Sequence, residues 1–220
     1  MVYLILLRHG ESVWNKENVF TGWVDIPLSA KGRKEALNAG KKLKKFNLDI
    51  IFTSKLIRAQ ETLTLSLQDN RKIPWFQDAA NKWNFYFGKH DLVPVIQAWQ
   101  LNERFYGNLQ GLNKDEMRKK YGADQVFLWR RSYDVKPPKG ESLDDTATRT
   151  IPYFEKQIVP YLKKGKNVLI VAHGNSLRSI IMELDNLTGD EVAKLEVPTG
   201  IPIVYDFDSK LRIKGKKILK

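Results

Sequence analysis

The stretch VYLILLRHG, residues 2–10, ends a run of six apolar residues on an arginine, a histidine and a glycine. A run that is apolar on both faces predicts a strand in the middle of a covered parallel sheet. The stretch VLIVAHGNS, residues 168–176, repeats the order of apolar strand, histidine and glycine. The chain has three histidines, and two of them, His9 and His173, stand at these junctions, while the third is His90.

The rest of the sequence places the two junctions in an alternating pattern of strands and helices. Strands are predicted at 2–7, 48–54, 167–174 and 201–208, and helices at 28–46, 55–68 and 175–189. Ser29 is the predicted N-cap of the first helix, where apolar residues then recur at helical spacing. This alternation predicts the α/β class, a three-layer α/β/α sandwich with a mostly parallel central sheet, formed by residues 1–220 as a single domain.

Two segments fit this scheme poorly. Residues 69–92 are rich in aromatics without clean periodicity and are interpreted as an insertion that packs over the sheet edge or forms a subunit contact, since exposed aromatics are a liability. The tail 209–220 is basic and is expected to be mobile. It either closes over the occupied site or remains a disordered lysine tail.

Composition limits the function classes. The 220 residues carry a formal net charge of +12 and no cysteine, which excludes disulfides, thiolate metal sites and a cysteine nucleophile. The first residues lack the features of a signal peptide, and their apolar run is too short to span a bilayer, so a cytoplasmic location without membrane association is expected. The positive charge is open to three interpretations: nucleic-acid binding, an anionic substrate, or a solvated lysine surface. No recognisable nucleic-acid-binding motif is present, so no nucleic-acid partner is expected.

The junction residues suit a phosphate pocket. Ligands of open α/β sheets bind beyond the carboxyl ends of the strands, so His9 and His173 are expected face to face. The glycine after each histidine allows close approach of a ligand, and the helix that starts near Asn175 favours an anion. Arg8 adds a guanidinium that matches phosphate. A neutral imidazole there can attack phosphorus and form a phosphohistidine. A metal site is the less favoured interpretation, because the two histidines have no nearby carboxylate cluster at ligand spacing.

At these residues the sequence resembles the histidine phosphatase superfamily, and within it the cofactor-dependent phosphoglycerate mutases. The resemblance rests on long motifs in order: LLRHGESVWNKENVFTGWVDIPLSAKGRKEA (6–36), LNERFYGNLQGLNK (101–114), WRRSYDVKPP (129–138), GESLDDT (140–146), the AHGNSLRSII stretch around His173, and VPTGIPIVYDFD (197–208). It implies a phosphoglycerate mutase-like fold.

The resemblance also implies roles. His9 would be the nucleophile, Arg8, Arg58 and a protonated His173 would stabilise the phosphoryl group, and Glu103, with a raised pKa, would be the general acid and base. The implied substrate-binding residues are Ser12, Asn15, Thr21, Gly22, Arg104, Tyr106, Lys114, Arg130, Arg131, Gly174 and Asn175. From spacing alone, Arg58 can equally be an exposed helix arginine, and Glu103 can form a surface ion pair with Arg104.

The implied function is interconversion of 2-phosphoglycerate and 3-phosphoglycerate, primed by 2,3-bisphosphoglycerate, without a metal. The cationic set Lys114, Arg130 and Arg131 favours a mutase, because a doubly charged intermediate needs cations at both ends. A homo-oligomer, either a dimer or a tetramer, is expected. A broad phosphomonoesterase on the same fold is the alternative.

Overall fold

The computed structural model describes residues 1–76 and 91–220. The strands of this part are β1 (Val2–Arg8), β2 (Ile50–Thr53), β3 (Ile73–Phe76), β4 (Leu92–Gln97), β5 (Val168–Ala172), β6 (Ile203–Phe207) and β7 (Ile213–Ile218). They form one sheet in the order β3-β4-β2-β5-β1-β6-β7. The pairs from β3 to β1 are parallel, and β6 and β7 are antiparallel to their neighbours. The predicted mostly parallel α/β sheet is confirmed.

Helices cover both faces of this sheet. They are α1 (Val13–Lys16), α2 (Ala30–Leu43), α3 (Ile57–Leu67), α4 (Lys114–Tyr121), α5 (Ala123–Arg131), α6 (Leu143–Tyr153), α7 (Val159–Lys163), α8 (Gly174–Asp185) and α9 (Gly189–Lys194). A π-helical stretch, Phe154–Ile158, joins α6 to α7, and short 3₁₀ turns lie at Trp99–Leu101 and Gly107–Leu109.

Strand β1 owes its central place to its double apolar pattern. Leu4 and Leu6 pack with α8 and the π-helical stretch on one face, whereas Ile5 and Leu7 pack with α2 and α3 on the other. Burying each of these side chains contributes about 1.5–3 kcal/mol relative to leaving it exposed. A strand that is apolar on both faces is therefore stable only between two layers of helices, which is the arrangement observed.

Local signals set the helix ends. The Ser29 hydroxyl accepts a hydrogen bond from the Gly32 N–H and caps α2, as predicted. The helix ends three residues earlier than the predicted 28–46. Helix α8 was predicted to continue to residue 189, but it ends at Asp185 because Asn186 adopts a left-handed backbone with a φ of 53°.

Both segments that fitted the sequence scheme poorly contain strands. The two ends of the predicted insertion 69–92 contain β3 and the start of β4, which extend the parallel sheet. Its middle, residues 77–90, lies outside the described residues, as does His90. The C-terminal segment is not a mobile tail, since β7 pairs with β6 and Lys42 donates a hydrogen bond to the Leu219 carbonyl. Edge strand β7 was not predicted, because its apolar residues are interspersed with lysines and the segment was interpreted as a basic tail.

Among the described residues, no helix has the length and apolar character that crossing a membrane would require.

Candidate active site

The two strand–histidine–glycine junctions meet at the carboxyl edge of the sheet. Strands β1 and β5 are parallel neighbours, and Arg8 pairs with Ala172 in their register. The His9 N–H donates to the Ala172 carbonyl at 3.0 Å, which ties one junction to the other. The imidazole rings of His9 and His173 are buried, with centroids 5.0 Å apart and planes inclined by 58°. The prediction that the two rings face each other is confirmed.

The surroundings of His9 leave one ring nitrogen free to react. Its Nδ1 lies 2.6 Å from the Gly10 carbonyl, so Nδ1 carries the proton and donates it. The lone pair then stands on Nε2. Burial, followed by the positive charges of Arg58 and Arg8, holds the pKa of His9 well below its usual value. The imidazole is therefore neutral at pH 7, which is the form that acts as a nucleophile.

The protein groups around His173 oppose protonation of its ring, whereas the resemblance implies a protonated ring beside a phosphoryl group. Burial and the charge of Arg58 lower its pKa well below the usual value. Its Nε2 lies 2.7 Å from the Ser54 Oγ, which itself accepts from the Leu56 N–H at 3.2 Å. The Ser54 hydroxyl can thus donate a hydrogen bond to Nε2, which leaves the hydrogen of His173 on Nδ1. This Nδ1 is buried and has no hydrogen-bond partner among the described residues, so a neutral His173 still offers a donor to an anion.

Arg58 is a buried part of the site and not an exposed helix arginine. It lies at the start of α3 with 1% of its surface exposed. Its guanidinium donates to the Gly22 carbonyl at 2.7 Å and the Val24 carbonyl at 3.1 Å. Burial lowers its pKa to about 10, so it remains charged at pH 7. Arg8 donates to the Val197 carbonyl at 2.8 Å, while its buried Nε has no partner within residues 1–76 and 91–220.

Glu103 is held by three N–H donors. Its Oε1 accepts from the Arg104 backbone N–H at 2.8 Å and from the backbone and side-chain nitrogens of Asn175 at 3.1 and 2.8 Å. Burial by itself would raise the pKa of Glu103, but these donors and the charges of Arg8 and Arg58 lower it overall. The expected raised pKa is thus not a property of the protein groups, which favour the carboxylate. No side-chain ion pair with Arg104 forms within the described residues.

Three potential metal ligands also converge here. One ligand atom each from His9, Glu103 and His173 lies within 4.8 Å of the other two. The sequence showed no carboxylate cluster at metal-ligand spacing near the histidines, because Glu103 is distant in the chain and only the fold brings it close. Neutral imidazoles and a carboxylate can hold a divalent cation. Arg8 and Arg58 place positive charge on the same atoms, however, and this favours an anion over a metal ion.

A cavity of about 120 Å³ opens above these groups. The implied site residues that line it are Arg8, His9, Asn15, Thr21, Gly22, Arg58, Glu103, Tyr106, Lys114, Arg130, Arg131, Gly174 and Asn175. Lys114, at the start of α4, is mostly buried, and this burial together with the charge of Arg130 lowers its pKa to about 8. The cationic groups thus surround both the histidines and the more distant end of the cavity.

Three of the implied site residues stand behind the cavity wall, namely Ser12, Arg104 and His173. The Ser12 hydroxyl accepts from the Asn15 N–H at 3.1 Å and caps α1, which fixes the loop that carries Asn15. The buried Arg104 guanidinium donates to the Arg130 carbonyl at 2.5 Å and to the Tyr106 hydroxyl at 3.2 Å. Ser12 and Arg104 thus position lining residues.

The glycines of the two junctions serve different purposes. A Cβ at Gly10 would lie 2.3 Å from the Gly32 carbonyl oxygen, so this glycine allows the loop to touch the backbone of α2. The expected close approach of a ligand is therefore not its role. Gly174 lines the cavity, and a Cβ there would make ordinary contacts at 3.5 Å with Arg8.

Known proteins share both the sequence and the architecture. A family model described as the histidine phosphatase superfamily (branch 1) matches residues 4–85 and 79–212. A 2,3-bisphosphoglycerate-dependent phosphoglycerate mutase from Protochlamydia amoebophila is 57% identical over 99% of this chain and 100% of that protein. The chain belongs to the histidine phosphatase superfamily. A protein with the same printed name from Methanococcus vannielii is 52% identical over 96% of this chain and 92% of its own length.

Solved structures agree with this membership of the histidine phosphatase superfamily. YhfR of Bacillus stearothermophilus superposes with a TM-score of 0.77 at 26% identity, over 97% of this chain and 94% of that one. A mycobacterial glucosyl-3-phosphoglycerate phosphatase in complex with VO₃ gives a TM-score of 0.75 at 24% identity, over 99% and 97% of the two chains. At that identity the second likeness shows the shared fold alone.

The sequence analysis missed several residues of this histidine phosphatase site. They are Val19, Phe20, Arg178 and Glu196 in the cavity lining, and Ser54 and Thr62 beneath it. Arg178 was detectable, because it follows Asn175 by three residues in α8 and so shares its face. Thr62 accepts from the Gly10 N–H at 3.0 Å, a contact across 52 residues that no local pattern indicates.

Proposed function

We propose that this protein interconverts 2-phosphoglycerate and 3-phosphoglycerate through a phosphohistidine at His9. The observation that carries the proposal is the neutral His9, whose free Nε2 stands beside a cavity lined by cations at both ends. Mutases with this printed activity are 50–57% identical to the chain over nearly its whole length. The small, strongly cationic cavity suits a short phosphorylated three-carbon acid.

The chemistry follows from the positions of the groups. The His9 Nε2 lone pair attacks phosphorus, the bond from phosphorus to the ester oxygen breaks, and that oxygen takes a proton from Glu103. In the return step a substrate hydroxyl attacks the phosphohistidine, Glu103 accepts its proton, and the electron pair returns to His9. Arg8, Arg58 and the Nδ1–H of His173 stabilise the charge on the phosphoryl oxygens.

Glu103 enters the two steps in opposite protonation states. The return step requires the carboxylate, which its own hydrogen bonds favour. The first step requires the acid, and the negative charges of a bound bisphosphorylated ligand raise the pKa of Glu103 toward that form. The ligand itself thus adjusts which step Glu103 can serve.

The primer in this proposal is 2,3-bisphosphoglycerate, which supplies the phosphoryl group to His9 when bound. The site fits such a group, because the buried His173 Nδ1 and Arg8 Nε have no hydrogen-bond partner in the part of the chain that the structure describes. Phosphoryl oxygens would satisfy these nitrogens. Lys114, Arg130 and Arg131 would hold the carboxylate and the second phosphate. None of these steps uses a metal.

Labelling tests the assignment of His9. Incubation with radiolabelled 2,3-bisphosphoglycerate is expected to give an acid-labile, base-stable phosphoprotein, and the His9→Ala variant is expected to give none. His90→Ala is the matched control, since His90 follows no strand–histidine–glycine pattern in the sequence. An unlabelled native protein, or equal labelling of His9→Ala, would refute the assignment.

Product analysis separates the mutase from a phosphomonoesterase on the same fold. With 3-phosphoglycerate as substrate, 2-phosphoglycerate is expected to accumulate faster than inorganic phosphate, and 2,3-bisphosphoglycerate is expected to stimulate its formation. Rapid release of phosphate without the isomer would favour the phosphomonoesterase.

We also infer a cytoplasmic homo-oligomer, either a dimer or a tetramer. The exposed apolar side chains of Ile73 and Phe76 support an assembly, because they lie on β3, the last strand of the sheet within residues 1–76 and 91–220, and apolar side chains at a sheet edge favour association. Sedimentation velocity is expected to give a mass of at least twice the 25.5 kDa of the chain.

A further inference from the structure

Three consecutive residues after α9 each offer an oxygen to a different arginine of the cavity. The Leu195 carbonyl accepts from Arg178 Nε at 2.7 Å, and the Val197 carbonyl accepts from Arg8 Nη1 at 2.8 Å. Between them, the Glu196 carboxylate lies 2.7 Å from Arg131 Nη2. Segment 195–197 thus provides a row of oxygen atoms that contact the arginines on one side of the cavity.

Glu196 differs from its two neighbours in charge and in exposure. Leu195 and Val197 use backbone carbonyls, which cannot move without the chain. The Glu196 side chain is 67% exposed, although its second oxygen lies 3.9 Å from Arg178, whose side chain is only 8% exposed. A solvated side chain that touches two cavity arginines is able to leave them at low cost.

The cavity lining has an excess of positive charge that makes this carboxylate significant. Its cations are Arg8, Arg58, Lys114, Arg130, Arg131 and Arg178, and its carboxylates are Glu103 and Glu196. Glu103 is fixed by three N–H donors, as described above. Glu196 is therefore the movable negative charge of the lining.

We propose that Glu196 is a displaceable counter-ion that competes with the anionic ligand for Arg131 and Arg178. When the ligand binds, its carboxylate or second phosphate takes these arginines and the Glu196 side chain turns into solvent. When the product leaves, Glu196 returns to the arginines. The identity of the ligand rests on the proposed function, whereas competition for the arginines does not.

This competition predicts both the direction and the size of the change in anion affinity when the charge of Glu196 is removed. Glu196 has to give up its exposed ion pairs when the anion binds, and because exposed pairs are weak, this carboxylate weakens anion binding by roughly two- to fivefold. Removing the charge of Glu196 should therefore tighten binding by this factor. Because the group is exposed, salt should screen the effect. If Glu196 instead served to hold Arg131 in position, its removal would weaken binding.

The test uses the isosteric variant Glu196→Gln, with Glu155→Gln as the matched control. Glu155 is exposed and does not line the cavity, so its variant reports the effect of net charge alone. Calorimetry with inorganic phosphate at low salt should show about two- to fivefold tighter binding for Glu196→Gln than for Glu155→Gln. The difference should shrink at high salt, and the KM for 3-phosphoglycerate should fall without a rise in kcat.

Phosphate affinity equal to that of Glu155→Gln, or weaker, would overturn the proposal. This measurement is independent of turnover, so it decides the role of Glu196 even if no mutase activity is found. Conversely, labelling at His9 tests the proposed function without reference to Glu196. The two failures are therefore distinguishable.

Discussion

Replacing Ser54 with alanine should slow phosphoryl transfer while leaving the fold and the binding of phosphate nearly unchanged. Ser54 is buried and its Oγ lies 2.7 Å from Nε2 of His173. As the donor of this hydrogen bond, it keeps the His173 proton on Nδ1, the nitrogen that we propose donates to the phosphoryl group. In Ser54→Ala the ring loses this preference and can present a lone pair to the anion instead. Ser54 is thus a positioning residue.

The size of the effect follows from the type of hydrogen bond. A hydrogen bond between two neutral groups, such as Ser54 and the neutral His173, contributes about 0.5–1.5 kcal/mol. If the whole of it is lost in the transition state, the rate falls by about 2- to 10-fold. The KM should change little, because Ser54 does not line the cavity.

Single-turnover transfer from labelled 2,3-bisphosphoglycerate, followed by rapid quench, measures this rate. Ser66→Ala is the matched control, since Ser66 is also buried and its hydroxyl donates to the Leu63 carbonyl at 2.9 Å within α3. Both variants should lose similar stability, but only Ser54→Ala should lose rate. Equal rates in the two variants would refute the reasoning, as would a nitrogen NMR spectrum of the native protein that places the His173 proton on Nε2.

Two further predictions concern pH. Because the pKa of Lys114 is lowered to about 8, kcat/KM should fall as the pH rises above this value, and Lys114→Arg should abolish that alkaline limb in a pH–rate profile; a limb that persists in the variant would assign it to another group. The pKa values of His9 and His173 lie well below 6.5, so the unfolded chain binds more protons below that pH. Urea titrations should therefore show the free energy of unfolding decreasing as the pH drops below 6.5, by up to about 1.4 kcal/mol per pH unit for each histidine. His9→Gln should reduce this slope, and an unchanged slope would contradict the assigned pKa direction.

The sequence predicted the parts of the fold whose signals are local. The runs 2–7 and 168–172 are apolar on both faces, and such runs are stable only at the centre of a covered sheet. Ser29 capped its helix as expected. Strands β3, β4 and β7 escaped prediction, because these strands at or next to the sheet edges are only partly buried and carry prolines or lysines that resemble loop sequence.

Much of the candidate site was also predicted from the sequence. Most of the implied residues line one cavity, and the resemblance to a family supplied those whose local sequence is ambiguous, such as Arg58 and Lys114. The protein groups lower the pKa values of both His173 and Glu103, whereas the resemblance implies a protonated His173 and a raised pKa for Glu103 beside a phosphoryl group, so those two states stay predictions. A pKa depends on burial and on charges from distant segments, and neither quantity is written in the residues beside the group.

By itself, the sequence determined which strands are central, where the two histidines follow them, and hence that both stand at one edge of the sheet. Strand burial and helix capping depend on residues close together in the chain, so they can be read from it. Only the tertiary structure decided that Ser54 meets His173, that Glu103 accepts from Asn175, and that Glu196 reaches Arg131. These contacts join segments 65 to 119 residues apart, and packing of the whole chain sets their distances.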